Sequence, residues 1–199
     1  MKHIIISRLN FTDRCLLNKY LIITKSVLIP ALKSQTQKKF TWVLIINKND
    51  EQYLREQLDF SFDAVYDNTG FIEYVTHNKP NIQTRHDCDD WMSHNYVDRI
   101  QTEYLHNIKK FNSFIIHVQP TKFDYLTGSE IHLPKYHDER CSMFLSLCQL
   151  NSIHHVNERK HGQMYEITKN IILLPEGYCK WVIHGNNKSK KISKKCNNR

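Results

Sequence analysis

No apolar run in these 199 residues is long enough to read as a transmembrane helix. The best stretch, Leu21 to Leu32, is short and broken by Lys25 and Pro30. The N-terminus offers only Ile4-Ile5-Ile6 as an apolar block, too brief for a signal peptide. Six cysteines, at positions 15, 88, 141, 148, 179 and 196, form no Cys-x-x-Cys pair. They read as reduced thiols of a cytoplasmic protein rather than a disulfide framework. A zinc site made of Cys141, Cys148, His154 and His155 fits no established ligand spacing. Two alanines and five glycines, beside abundant Asn, Lys and Ile, reflect an A+T-rich coding sequence and say nothing of function. There is no internal repeat, and no low-complexity segment before the C-terminal tail.

What is present suffices for a folded domain. The chain is 40% hydrophobic and 11% aromatic, enough to bury a core, and its length fits one domain. The net charge of +8 is unevenly placed. Lys188, Lys190, Lys191, Lys194, Lys195 and Arg199 crowd the tail with no acid, and the rest carries 22 basic against 20 acidic residues. The body is therefore nearly neutral. Residues 188–199 read as a basic, solvated and disordered extension that can touch an anionic membrane surface, and no specific nucleic-acid partner is expected.

Periodicity predicts an α/β order in the first half. His3 to Ser7 is a β-branched strand. From Asp13, Leu16, Leu17, Tyr20, Leu21, Thr24, Val27, Leu28, Ala31 and Leu32 recur at helical spacing, with Pro30 expected to kink the helix or begin its second part. Phe40 to Ile46 reads as a strand covered on both faces. Asn49-Asp50 reads as the N-cap of a short helix through Leu58. Asp63 to Tyr66 and Asn81 to His86 are further strands, and His94 to Lys110 is helical. Beyond these, Ser113 to Val118 is a strand, with Lys122 to Leu126 expected to pair with it across Gln119-Pro120-Thr121. Short strands follow around Met143 to Leu147 and Lys180 to Ile183. Such an order favours an α/β sheet with right-handed crossovers.

The chemistry concentrates in Asp87-Cys88-Asp89-Asp90, at the end of the extended run Ile82 to His86. Three carboxylates in four positions repel one another and raise each other's pKa values. A divalent cation relieves that repulsion, because Mg²⁺ and Mn²⁺ take hard oxygen ligands and share them with substrate phosphates. The position also matters, since open α/β sheets bind ligands outside the carboxyl ends of their strands. In an extended backbone Asp87 and Asp89 project to one side, roughly 7 Å apart. Asp90 is then free to turn away and cap the following helix, or to brace a ligand. Arg85 is placed to meet a carboxylate or a phosphate. His184, ending the run Trp181-Val182-Ile183, adds an imidazole suited to Mn²⁺.

Thr84-Arg85-His86-Asp87-Cys88-Asp89-Asp90 with Tyr96-Val97 resembles the Thr-Arg-x-Asp-x-Asp-Asp signature of a rhamnosyltransferase family, a branch of the GT-A-type glycosyltransferases. Ser7-Arg8-Leu9-Asn10 is similar to that family's Arg-Phe-Asn at the end of its first strand. Arg14, Pro30, Leu32, Gln35-Thr36 and Phe40-Thr41-Trp42 follow its next elements. Trp181 and His184-Gly185-Asn186 resemble its closing element, and Ser142 to Leu147 and His161 match more loosely. Ala31 stands where the family has Ser, and Leu9 where it has Phe.

The resemblance implies a GT-A-like, Rossmann-related mixed sheet flanked by helices over residues 1–187. A nucleotide-binding half would span 1–110 and an acceptor-side half 111–187. It implies a nucleoside-diphosphate-sugar donor, a glycan or other hydroxyl acceptor, and Mn²⁺ or Mg²⁺ as cofactor. Asp87, Asp89 and His184 would hold the metal, and Arg8, Asn10, Arg85, Asp87 and Asp90 the substrate. An inverting enzyme needs a carboxylate base, for which Asp138 and Glu139 are favoured over Glu130 and Glu158. Two other classes compete: a catalytically silent nucleotide- or carbohydrate-binding domain, and a metal-dependent phosphohydrolase or nuclease. The last would want further carboxylates on other strand ends, and none stands out.

Overall fold

A seven-stranded mixed sheet runs in the order β10-β6-β9-β4-β1-β2-β3. The computed structural model describes residues 1–131, 144–151, 154–157 and 161–184. Strand β1 (His3–Arg8) lies in the middle, parallel to both β2 (Thr41–Ile45) and β4 (Ile82–Arg85). Its uninterrupted apolar run is what a strand covered on both faces requires. Strand β3 (Asp63–Val65) extends the parallel set. On the other side β9 (Leu145–Gln149) is antiparallel to both β4 and β6 (Ser113–Val118), and β10 (Ile171–Leu174) joins β6 in parallel.

Alternation along the strands divides the core in two. Ile5, Trp42, Leu44, Phe114 and Ile116 face one cluster with Leu17, Leu21 and Leu28 of the first helix and Tyr96, Ile100 and Tyr104. Ile4, Ile6, Val43, Ile45 and Ile115 face the other, with Phe71, Val75 and Met164. Helices on both faces follow from that two-sided burial.

The first helical body runs from Arg14 to Ser34 as α1 (Arg14–Ile23), a π-helical stretch (Thr24–Leu28) and α2 (Ile29–Ser34). Asp13 caps it, accepting from the backbone N–H of Cys15 at 2.8 Å. The widened turns lie just before Pro30, whose missing N–H and bulky ring cannot continue an ordinary α-helical ladder. So Pro30 begins the second part, as expected. The 21 residues from Arg14 to Ser34 are, by length and composition alone, long and apolar enough to cross a membrane, yet about half of them are buried in the fold. The sequence reading of this stretch as too short is corrected on length.

Other expectations need revision. Asp50 does not cap α3 (Glu51–Gln57) with its side chain; it accepts from Arg14 at 2.5 Å and from Asn47 at 3.0 Å. A helix that periodicity did not predict, α4 (Asn68–Asn78), fills the interval before β4. It is capped by Asp67 at one end and closed by Lys79 in the left-handed region, with Pro80 next. Only Phe71 and Val75 of α4 are buried, which is too little apolar pattern to announce a helix. Helix α5 (Tyr96–Asn107) lies inside the expected range.

Strand β7 (Thr121–Asp124) does not pair with β6 as expected. It pairs with β11 (Cys179–Ile183) and β8 (Glu130–Ile131) in a second, four-stranded sheet, order β5-β11-β7-β8, with β5 being Trp91–Met92. At the branch point Gln119 donates to Leu174 of β10, and Pro120, with no N–H to give, lets the chain leave the main sheet.

Candidate active site

The carboxyl ends of β1 and β4 lie side by side, because Ile6 is in register with Arg85. Arg8 closes β1, and Asn10, just beyond it, is exposed. After Arg85 the backbone of His86 still donates to Ile6 at 2.9 Å, and there the ladder ends. Asp90 then donates its N–H back to the carbonyl of Asp87 at 3.2 Å. Residues 87–90 are thus a turn, not the extended segment expected from sequence, and aspartate favours its first position. Cys88 is buried in the core beneath it. Turning the chain here brings a carboxylate oxygen from each of Asp87, Asp89 and Asp90 within 4.8 Å of one another, a grouping that could hold a metal ion. It is the one such group among the described residues.

A second stretch of chain completes the site. Strand β5 follows the turn directly and pairs antiparallel with β11, Lys180 opposite Trp91. That pairing carries His184, just past β11, to Asp89, where Nε2 donates to Oδ2 at 2.8 Å. Asp90 turns toward β11 as well, accepting the N–H of Val182 at 3.0 Å. It neither caps α5 nor points to solvent. That helix start is held instead by Gln35, whose Oε1 accepts from Val97 at 3.0 Å while Nε2 donates to the carbonyls of Ser93 and Ala31.

Burial and crowding set the electrostatics. The Asp90 carboxyl is pushed well above its usual range, by desolvation first and then by the charges of Asp89 and Asp87, against the pull of the Val182 N–H. Tyr20 of α1 stands edge-on to His184, ring centres 5.3 Å apart. Burial raises its phenol, and Asp89, Asp87 and Asp90 raise it further. On the cationic side, burial lowers Arg85, Asp87 raises it, and neighbouring Arg8 lowers it again. The Nε groups of Arg8 and Arg85 are buried with no hydrogen-bond partner among the described residues. Two guanidiniums with N–H left over, beside a carboxylate cluster, suit an anion bridged to a cation.

The structure therefore brings together Arg8, Arg85, Asp87, Asp89, Asp90 and His184. Sequence reading missed Tyr20, which registered only as one apolar position in a helical stripe. Arg14, part of the family-like pattern, pairs with Asp50 and lies 3.8 Å over the Tyr53 ring. Glu130 is ion-paired to Lys180. Thr84, also in the motif, is buried in a polar relay in which His3 Nε2 meets Thr84 Oγ1 at 2.7 Å and Thr84 meets Ser146 at 2.6 Å. Asp138, Glu139, Glu158, Cys141, Cys196, Ser142, Gly185 and Asn186 and the tail 188–199 lie outside the described residues. Cys15, Cys88, Cys148 and Cys179 are free thiols. A cavity of about 480 Å³ lined by Phe40, Trp42, Phe60, Phe62, Lys33 and Lys38 opens at the start of β2, away from the acidic turn.

No protein-family model and no curated protein sequence matches this chain. Solved structures do match. The S. aureus TarS 1–349 structure in complex with UDP-GlcNAc superposes with a TM-score of 0.57 at 10% identity, covering 94% of this chain and 60% of that one. The same TarS segment in complex with UDP gives 0.54 at 12% identity, covering 92% and 61%. The chain spans about three fifths of the length of these relatives. At such identity the likeness is one of fold, and it shows the expected GT-A-like mixed sheet flanked by helices.

Proposed function

We propose that this protein is a metal-dependent glycosyltransferase that moves a hexosyl group from a nucleoside-diphosphate-sugar to a hydroxyl acceptor, probed most directly at the acidic turn. One observation carries the reading: a turn at the carboxyl ends of β1 and β4 gathers three carboxylates within 4.8 Å, beside two arginines with unused buried N–H groups. The likeness in fold to a protein solved with UDP-GlcNAc and with UDP supports the donor class. The motif resemblance supports a rhamnosyltransferase-like member with a glycan acceptor, and the free thiols of Cys15, Cys88, Cys148 and Cys179 support a cytoplasmic setting.

The residues fit a divalent cation. The donor set is hard carboxylate oxygen plus one imidazole, and three carboxylates with oxygens within 4.8 Å of one another repel in a way that a cation would offset. Asp87, Asp89 and His184 would hold it. When bound, Mn²⁺ or Mg²⁺ supplies Lewis-acid stabilisation of the charge on the departing nucleoside diphosphate. Arg8 and Arg85 bind the same phosphates by charge-assisted hydrogen bonds, Asn10 borders the donor, and Asp90, turned to β11, braces the strand that brings His184 to the site. The bond from the anomeric carbon to the phosphate oxygen breaks through an oxocarbenium-like state as the acceptor oxygen attacks. The acceptor's proton passes to a carboxylate base, for which we propose Asp138 or Glu139.

Thermal shift with UDP, GDP and dTDP, each with and without Mn²⁺, tests the donor site. A ligand that binds the native state raises its apparent stability by about 2.7 kcal/mol at a hundred times Kd. A nucleotide shift that needs Mn²⁺ and vanishes in Asp89→Asn is the expected result. No shift with any nucleotide, or a shift only with oligonucleotides, overturns the reading.

A further inference from the structure

The outer face of the first helical body and the tip of the β7–β8 hairpin form one surface beside the acidic site. Ile22 is 66% exposed on α1, and Lys19, Lys25 and Ser26 share its solvent side. Ser26 Oγ meets the Tyr125 hydroxyl at 3.3 Å, which joins this helix face to the hairpin. Tyr125 is 40% exposed and Leu126 is 78% exposed, the highest of the large hydrophobics among the described residues. Beneath the surface the two elements are held together by Ile23, Val27 and Val182, with Phe123 packed against them.

The hairpin tip is built rather than loose. Asp124 Oδ1 accepts from the N–H groups of Leu126 at 2.9 Å and Thr127 at 3.2 Å. Gly128 takes the left-handed conformation, φ +69°, that closes the turn. Its carboxylate engaged in this way, Asp124 holds Leu126 outward. Tyr125 donates its N–H to the carbonyl of Ile183 at 2.9 Å, so the tip sits one residue from His184.

We propose that this surface docks on an anionic lipid bilayer, with Ile22, Tyr125 and Leu126 entering the interfacial zone and Lys19 and Lys25 meeting lipid phosphates. Charge complementarity selects that partner. Neither lysine forms an ion pair among the described residues, and Lys25 acts only at longer range on Asp59, whose direct partner is Lys33 at 2.5 Å. Exposed apolar side chains flanked by lysine, with an aromatic at the edge, are what an interfacial anchor needs. The inference is independent of the proposed catalytic chemistry.

Co-sedimentation of the full chain with vesicles of phosphatidylglycerol and phosphatidylcholine, against phosphatidylcholine alone, tests it. Binding to the anionic vesicles only is expected. Ile22→Ser and Leu126→Ser should each lower the partition coefficient by about tenfold, and Lys19→Gln or Lys25→Gln by about fivefold at low salt. Leu105→Ser, exposed on α5, should leave it unchanged. All five positions are exposed, so unchanged melting temperatures verify that the variants fold. Absence of vesicle binding overturns the proposal. So does binding that survives Ile22→Ser/Leu126→Ser but is lost when the five lysines from 188 to 195 become Gln, which assigns it to the tail. A concentration-dependent dimer abolished by the same two substitutions, with no lipid binding, makes the surface a contact between copies and also overturns it.

Discussion

The carboxylate of Asp90 accepts the backbone N–H of Val182 across 92 residues of sequence, and this bond joins the acidic turn to the strand that delivers His184. A buried carboxylate crowded by two others, held by one backbone donor, is a structural joint under electrostatic load. Asp90→Asn keeps an acceptor for Val182 and removes a buried charge. It should melt within about 1 kcal/mol of the parent, or above it. Asp90→Ala leaves the Val182 N–H buried and unmet, and should cost about 2 kcal/mol in urea denaturation. Equal loss in both variants would contradict this assignment.

Asp89 carries a different burden, since its carboxylate faces both His184 and the other two acids. Asp89→Asn should fold, because the amide still accepts from His184 Nε2. Under the proposed chemistry it should lower turnover at least about a hundredfold, as removal of a preorganised electrostatic stabiliser does. Product formation followed by mass, with melting as a control, decides. Full turnover in this variant is incompatible with the acidic turn as the reacting centre.

Gln35 joins α2, the segment after β5 and the start of α5 with three hydrogen bonds, from Val97 and to Ser93 and Ala31. Gln35→Leu fills similar volume and leaves those groups unpaired in the core. It should cost about 2–4 kcal/mol, read from a urea midpoint. Gln35→Glu keeps the acceptor for Val97 but gives up the donors, and should fall no higher than the parent.

His3 gives a pH prediction with a definite sign. It is buried, and desolvation lowers its pKa to about 3. The unfolded chain, with an ordinary histidine near 6.5, takes up the proton first as pH falls. Stability from neutral His3 is therefore complete above pH 6.5 and drains away from there towards pH 3. Between pH 7 and pH 5 the His3 contribution to the loss should be about 2 kcal/mol. Urea titrations at both pH values should show that much less loss in His3→Gln than in the parent. His86, lowered to about 4 by burial, adds a loss of the same sign in both proteins.

Much of the main sheet was readable from the chain. The blocks at 3–7, 40–46 and 113–118 became β1, β2 and β6, because a run of β-branched and apolar residues has few alternatives to a strand covered on both faces. Helix α4 was not readable, since only Phe71 and Val75 reach the core and its ends are set by Asp67 and Lys79 rather than by an apolar stripe. The partner of β7 was not readable either. A short strand after a proline carries no mark of which sheet will accept it, and proximity in sequence favoured the wrong neighbour.

The sequence by itself determined that three acids would be crowded after a strand and that Arg8, Arg85 and His184 were candidates to join them. Composition and spacing are local properties, and they act through local backbone preference and charge. Only the tertiary structure decided that 87–90 is a turn and that Asp90 faces β11. It alone placed Tyr20 against His184. Those outcomes depend on β5 pairing with β11 and on burial of Cys88, long-range contacts whose energies no four-residue window contains.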